Sequence, residues 1–400
     1  MSLTPLDEAL GQVLARVGPP VDTCEMPLLE ALSHTLAETV VSPIAVPGDD
    51  NSAMDGYALR AAEAGQVLQV NQRIPAGAVG QTLLPGTAAR IFTGAPVPPG
   101  ADAVVMQENC AVEGDRLTIA GGVVAGENVR PRGQDIAEGA EVLSVGRVLR
   151  PQDLGLLASI GRSLVRVYRP LRVAVLSTGD ELREPGSGPL QPGQLYNSNR
   201  YTLAGLLRSL NLQCVDIGIV PDDPEATAAA LLEASQRADV VISSGGVSVG
   251  EEDHVKKQVE RLGELALWKL AIKPGKPLAF GRVGETPFIG LPGNPTSVFV
   301  TFCLVARPFL LKQQGVSETD LPGFQARAGF SVARPGTRQD YLRVIIQRAG
   351  DELSAIRYTN QSSGVLSSVS QANALAVIPP GTTVDEGDLV DILLLDLLVP

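Results

Sequence analysis

Between residues 171 and 311 short apolar runs alternate with stretches whose apolar residues recur at helical spacing, and no other feature limits the fold as strongly. Leu171 to Leu176, Cys214 to Val220 and Asp239 to Ser243 read as strands, with helices from Asn197 to Leu210 and from Pro224 to Arg237 between them. Strands that each return through a helix run parallel, with right-handed crossovers. The pattern continues with a helix near Val255 to Leu262, short strands around Leu278 and Phe288, and a long apolar helix from Asn294 to about Leu311. A doubly wound parallel-sheet domain is predicted over residues 170–320, and in such domains ligands bind beyond the carboxyl ends of the strands.

The flanks have other textures. Leu6, Leu10, Val13, Leu14 and Val17, then Leu28, Leu29, Leu32, Leu36 and Val40, are spaced to bury one helical face each. From 44 to 149 short apolar runs are broken by Gly, Pro or Asp, the texture of a β-rich region. Helical spacing at Leu154, Leu156, Leu157 and Ile160 returns the chain to the N-terminal helices and makes the β-rich region an insertion. After Leu321, runs such as Tyr341 to Ile346 and Ala374 to Ile378 predict a terminal barrel or sandwich. The expected layout is multidomain α/β plus β. It comprises a helical linker domain (1–48 with 137–169), a β-rich inserted domain (49–136), an α/β domain (170–320) and a C-terminal β-barrel (321–400).

Charge narrows the partners. With 44 acidic against 32 basic residues the net charge is -12, which disfavours nucleic acid and anionic membranes. An anionic ligand must therefore meet a local cationic pocket. Cys24, Cys110, Cys214 and Cys303 are too far apart for a CxxC site, and with His34 and His254 the only histidines, oxygen ligands must dominate any metal site. The opening MSLTPLDEAL lacks a basic segment followed by an apolar core, and the longest apolar stretch, near Val298 to Ala306, is about half a membrane span. A cytoplasmic location is expected.

Polar residues, glycines and carboxylates gather after the predicted strands. The first such loop is Ser177-Thr178-Gly179-Asp180-Glu181, and the second contains Asp222. The third, SSGGVSVGEED, offers backbone N–H groups at Gly245 and Gly246 and hydroxyls at Ser244 and Ser248, which suit an anion cradle and equally a serine-capped turn. In the fourth, after Pro292 and Gly293, Asn294 is placed as a helix N-cap and Pro295 at the first helical position. Glu181, Asp222 and Asp253 follow three different strands, so their carboxylates can converge on Mg²⁺; each alone is also what a cap or a solvated turn carries. Lys273 and Lys276 lie in a loop, KPGK, that suits a small oxyanion or leaves them solvated, and Arg338 with Ser367, Ser368 and Ser370 adds donors from the terminal domain. SAMDGYA around Asp55, IFTGAP around Thr93 and RPRGQDI around Asp135 read as turns.

Together SAMDGYA, IFTGAP, ADAVVMQEN, ENVRPRGQDI, LSTGDEL, YNSNRY, SSGGVSVGEED, WKLAIKPGKPLAFG, GLPGNPTS and TRQDYLR resemble, in that order, the bacterial molybdopterin molybdenumtransferase family, to which the gephyrin E domain belongs. The resemblance implies a four-part subunit in a homodimer, with the active cleft between the α/β domain of one subunit and the inserted domain of the other. It implies insertion of molybdenum from molybdate into adenylylated molybdopterin, with Mg²⁺-dependent release of AMP. By motif, the implied catalytic acids are Asp55, Asp135, Glu181, Asp222 and Asp253, of which Glu181, Asp222 and Asp253 hold the metal. Substrate contacts are implied at Thr93, Ser177, Thr178, Gly179, Asp180, Ser244, Gly245, Gly246, Ser248, Pro292, Gly293, Asn294 and Pro295, and molybdate contacts at Lys273, Lys276, Ser297, Arg338 and Ser368. Implied partners are molybdopterin adenylyltransferase and molybdoenzyme-maturation proteins. Departures from the family pattern are Pro131 and Gln134, where Arg and Glu are frequent, and His254 in place of a common Tyr. Competing readings are a non-catalytic scaffold of the gephyrin kind and the sister adenylyltransferase, which carries GGTG where this chain has SGGVS and lacks the extra domains.

Overall fold

A computed structural model describes residues 3–247, 254–320 and 323–398. The α/β segment runs β1 (Arg172–Thr178), α1 (Ser198–Ser209), β2 (Gln213–Val220), α2 (Pro224–Arg237), β3 (Val240–Ser244), α3 (His254–Leu262), β4 (Gly263–Lys269), β5 (Pro277–Val283) and β6 (Thr286–Leu291). These strands form one six-stranded sheet in the order β2-β1-β3-β6-β5-β4. The first four are parallel, as expected, whereas β5 pairs antiparallel with both β6 and β4, so the sheet is mixed. Only Gly284 and Glu285 separate β5 from β6, enough for a hairpin and far too short for a crossover.

Period-two alternation divides the strands between two cores. Val173, Val175, Val240, Ile242, Ile289 and Leu291 point to one face, against Leu203 and Leu207 of α1 and the long helix beyond β6. Ala174, Leu176, Val241, Ala279 and Phe288 point to the other, against Leu231 of α2 and Val259 of α3. Burying each large side chain stabilises the fold by about 1.5–3 kcal/mol, which explains the near-continuous apolar runs in the parallel strands. The long helix runs through Pro295–Thr301, a π-helical turn Phe302–Ala306 and Arg307–Gln313. The π turn sits just ahead of Pro308, which has no N–H for regular helical bonding. By length and composition this helix is apolar enough to cross a membrane, but 89% of its apolar window is buried inside the protein, so it is a core helix. The N-terminal helix Leu6–Leu14 places Ala9 and Val13 in the same core.

The second helical pattern expected near the N-terminus is not a helix. Strand Thr23–Pro27 pairs antiparallel with Leu164–Tyr168, a single 3-10 turn covers Leu28–Glu30, and Thr35 and Leu36 bridge to Val148 and Val167. Ser33 adopts a positive φ of 64°, which breaks any helix there, and Leu29 is left 94% exposed. Leu28, Leu36 and Val40 instead share a core with Leu143, Leu149, Leu157 and Val167, so the segments before and after the β-rich region do meet. Between them a six-stranded sheet holds the insertion, and its entry and exit are paired: Val46 bridges Ile136, and Asn51–Ser52 lies antiparallel to Val129–Arg130.

In the C-terminal region strands Gln339–Ala349, Glu352–Arg357, Gly323–Ala328, Leu389–Leu394 and Ala374–Ile378 pair in that order. The last then pairs with the first, closing a barrel. Ile272–Lys273 extends it as a parallel partner of Gln339 and Asp340, so the stretch expected to be a lysine loop is partly a strand that joins two domains.

Asp239, at the start of β3, accepts bonds from Arg169 Nη1 (2.7 Å) and Nη2 (2.9 Å), and from the backbone N–H (2.8 Å) and Nη2 (2.9 Å) of Arg172. Burial opposes its charge, but these arginine bonds win and hold the carboxyl well below its ordinary 3.8. Asp239→Asn is expected to cost about 1–3 kcal/mol at neutral pH. Because the folded-state value is depressed, this stabilisation is complete above pH 3.8 and fades as pH falls below it. Chemical denaturation of both proteins at neutral pH and near pH 3 checks this, since the difference should shrink on acidification.

Candidate functional site

At the junction of β1 and β3 the chain turns to opposite sides of the sheet, and the loops leaving the two strands diverge around a crevice. The cleft there measures about 690 Å³. Thr178, Gly179 and Glu181 line it from β1, Asp222 from β2, Ser244 to Val247 from β3, and Pro292 to Pro295 with Ser297 from the turn after β6. All four predicted loops therefore meet on one rim. Gly245 and Gly246 have φ of +91° and +68°, and a Cβ on Gly246 would lie 2.5 Å from Val255 Cγ2. Only glycine fits, and its backbone stays open to the cleft.

Ser177 is fully buried beneath this floor, its hydroxyl 3.0 Å from that of Ser244, so these two hydroxyls bridge β1 and β3. Asp180 and Asp222 clasp each other: the backbone N–H of Asp180 donates to Asp222 Oδ2 (3.2 Å) and that of Asp222 to Asp180 Oδ1 (3.1 Å). The clasp ties the first two loops together and sets Glu181 and Asp222 on the same side of the cleft. Among the described residues no cluster of three His, Cys, Asp or Glu forms a metal site. Ser248 and Asp253 lie outside the described residues. Two carboxylates are nonetheless a fitting donor set for Mg²⁺, which completes its octahedron with water and phosphate oxygens.

Two asparagines of YNSNRY belong to the site although composition gave them no role. Asn197 Oδ1 accepts from the backbone N–H of Arg200 (3.2 Å) and caps α1, while its Nδ2, buried in the cleft wall, has no hydrogen-bond partner. Asn199 Nδ2 donates to the carbonyl of Gly293 (2.7 Å). An asparagine just ahead of a helical run was the available signal. Asn294 does occupy the N-cap position, but its side chain donates to Ser363 Oγ (3.1 Å) in the C-terminal domain instead of to its own helix. Gly364 beside it lines the cleft, so this domain supplies a wall.

The five expected oxyanion contacts are divided. Ser297 lines the main cleft, and Lys276, exposed, precedes Pro277 on its rim. Lys273 and Arg338 share a second cleft of about 390 Å³ with Arg334, Arg357 and Asp340. There Lys273 Nζ is 2.9 Å from Asp340 Oδ2, and Arg338 Nη1 donates to the carbonyl of Ile272 (3.1 Å). Ser368, expected in a loop, lies in a helical turn, Ser367–Gln371, and is fully buried. Its hydroxyl donates to the carbonyl of Val365 (2.6 Å) and accepts from Arg343 Nε (3.2 Å).

Asp55 and Thr93 meet in the inserted domain, where Asp55 Oδ1 accepts from the backbone N–H and the hydroxyl of Thr93, both at 2.8 Å. The backbone bond first, then the hydroxyl, hold the Asp55 carboxyl below its ordinary 3.8. Arg90 Nη1 donates to the carbonyl of Gly56 (2.9 Å) and stacks 4.6 Å from the centre of the Phe92 ring, stiffening this turn. Asp135 is exposed at the base of the insertion, its N–H donating to the carbonyl of Val46 (3.0 Å). Among the described residues that line the main cleft, Asp55, Thr93 and Asp135 are absent.

Comparison with known proteins agrees with this layout. Residues 4–161 match the MoeA N-terminal region (domain I and II), 174–312 a probable molybdopterin binding domain, and 325–395 the MoeA C-terminal region (domain IV). The chain is 41% identical over 381 residues to a molybdopterin molybdenumtransferase of Haemophilus influenzae, covering 93% of this chain and 94% of that one. It is 39% identical to one from Nostoc sp., covering 90% and 86%. A crystal structure of a molybdopterin biosynthesis MoeA protein from Pyrococcus horikoshii superposes with a TM-score of 0.86 at 30% identity, covering 98% of this chain and 100% of that one.

Two outcomes are expected. Gly246→Ala should lose about 1–3 kcal/mol of stability, measured by thermal denaturation, because the left-handed backbone and Val255 both oppose a side chain. Thr93→Val should raise the Asp55 titration toward 3.8, read by carboxyl-carbon NMR, and an unmoved titration would contradict the assigned hydrogen bond.

Proposed function

Because the chain belongs to the molybdopterin molybdenumtransferase family, we propose that it inserts molybdenum from molybdate into adenylylated molybdopterin, releasing AMP and giving molybdenum cofactor in the cytoplasm. The observation that carries this is the cleft at the β1/β3 junction, which joins open glycine backbone at Gly245 and Gly246 to the carboxylates of Glu181 and Asp222. Backbone N–H groups and a cation are what a pyrophosphate-linked pterin requires.

In this reading Gly245, Gly246 and the free Nδ2 of Asn197 hold phosphate oxygens, and Thr178, Ser244 and the turn from Pro292 to Pro295 close around the nucleotide. Glu181 and Asp222, with Asp253 as a third donor, would hold Mg²⁺, which when bound neutralises charge developing on the anhydride oxygens. A water oxygen adds to one phosphorus of the anhydride, its P–O bond breaks and AMP leaves, while the two dithiolene sulfurs displace two oxides of molybdate, which depart as water with the two thiol protons and two protons from solvent. Lys273 and Arg338 receive the molybdate dianion at the second cleft, and Lys276 and Ser297, at the main cleft, meet it as it passes to the pterin. Ser363 suits the remaining hydroxyl position better than Ser368: its oxygen accepts from Asn294 and leaves the O–H free, whereas the Ser368 O–H is spent on Val365.

Asp55, Thr93 and Asp135 then act from the inserted domain of a second subunit, consistent with their absence from the described lining of the cleft in their own chain. Release of AMP from adenylylated molybdopterin, without consumption of ATP, tests the reaction and separates it from adenylyl transfer. Asp222→Asn and Asp55→Ala should each lower kcat/KM by at least about 100-fold. Mixing the two variants under subunit exchange should restore about a quarter of wild-type activity, because each mixed dimer regains one complete cleft. No recovery would place Asp55 and the cleft in the same subunit's service.

A further inference from the structure

Behind the wall shared by the two clefts lies Arg343, fully buried on the barrel strand Gln339–Ala349. Its Nε donates to Ser368 Oγ (3.2 Å) and its Nη1 to the carbonyl of Tyr341 (3.0 Å). Its Nη2 is buried with no hydrogen-bond partner, and no carboxylate lies within ion-pair distance of the guanidinium among the described residues. Burial pushes the guanidinium down to about 10, with Asp340 partly offsetting this and Arg357 adding to it. A buried cation without a counter-charge is costly and calls for a compensating role.

The bonds around Arg343 indicate that role. Its backbone is gripped by Gln361, whose Oε1 accepts from the Arg343 N–H (3.0 Å) and whose Nε2 donates to the Arg343 carbonyl (2.9 Å). Gln361 lines the Lys273 and Arg338 cleft. Through its side chain Arg343 holds Ser368, which bonds the carbonyl of Val365, and that carbonyl also accepts from Thr296 Oγ1 (3.0 Å) at the start of the long helix. The loop between these anchors carries Gly364 on the wall of the main cleft and Ser363, which accepts from Asn294 of that wall.

We propose that Arg343 is a positioning residue for oxyanion capture: it braces the loop from Gln361 to Val365 between the two clefts and supplies an unneutralised positive charge behind it. This rests on the molybdate reading above. Gln361 at one end of the loop lines the cleft of Lys273 and Arg338, whereas the loop meets the main cleft only at Gly364, so the dianion at the second cleft depends on the brace more than the nucleotide does, which is held mainly by the loops of β1, β3 and β6.

The experiment compares wild type with Arg343→Met, Arg343→Lys and Ser368→Ala, measuring the KM for molybdate at saturating adenylylated molybdopterin and the Kd for AMP alone. Arg343→Met is expected to raise the molybdate KM about tenfold and to change the AMP Kd no more than about twofold. Arg343→Lys, which keeps the charge without the planar fork, should regain part of the loss, and Ser368→Ala should raise the molybdate KM in the same direction. A folded Arg343→Met protein with wild-type molybdate KM overturns the inference, as does an equal loss of both ligands, which would make Arg343 a support of the fold alone. If that variant does not fold, an unchanged molybdate KM in Ser368→Ala overturns it instead. Wild-type protein that uses no molybdate at all would sink the functional reading itself, a result distinct from any of these.

Discussion

Parallel pairing of β1 with β3 leaves their carboxyl ends side by side, while the chain leaving β1 goes to α1 on one face of the sheet and the chain leaving β3 to α3 on the other. The gap between the departing loops follows from that connectivity alone. What fills its edges follows from local chemistry: glycines where the backbone turns left-handed, an asparagine cap at α1, and the reciprocal Asp180 and Asp222 bonds that stop the first two loops from separating. The mixed edge of the sheet serves the same end. Its antiparallel strands bring the chain back to Ile272–Lys273, whose pairing with Gln339 and Asp340 anchors the barrel against the α/β domain.

Charge is arranged with similar economy. An excess of carboxylates covers the molecule, yet several of the more buried acids are neutralised in place, as Asp239 is by two arginines and Asp153 by Arg147 and Arg150. Positive potential is concentrated in Lys273, Arg334, Arg338 and Arg357 around one cleft. The main cleft offers open glycine backbone at Gly245 and Gly246 in place of such cations, a dipole-rich surface that suits an anion without adding a full charge.

Much of this was legible before any coordinates. Val173 to Leu176 and Val240 to Ile242 announce buried parallel strands because both faces of the sheet are covered, and Asp223 followed by Pro224 marks the start of α2 by its cap, the Asp223 side chain accepting from Ala226 N. The four strand-end loops were correctly grouped because topology, and not side-chain detail, brings them together. Where expectation failed, tertiary pairing outweighed local periodicity. Leu28, Leu32 and Leu36 have helical spacing, but antiparallel partners near Val148 and Val167 claim the backbone. Ser363 and Ser368 are indistinguishable by composition, and only packing shows that one accepts from Asn294 of the cleft wall while the hydroxyl of the other is spent on the carbonyl of Val365. The signal for Asn197 lay in its capping position, while its unused Nδ2 became visible only once the wall around it was built.

The paired entry and exit of the inserted domain have a mechanical consequence. Two crossings joined at Val46 and Ile136 and again at Asn51–Ser52 and Val129–Arg130 form a short double ribbon, so neither strand can shift without carrying the other. Asp55 and Thr93 lie beyond this ribbon and Asp135 beside it, so the three residues are carried at different distances from the point where the insertion is mounted.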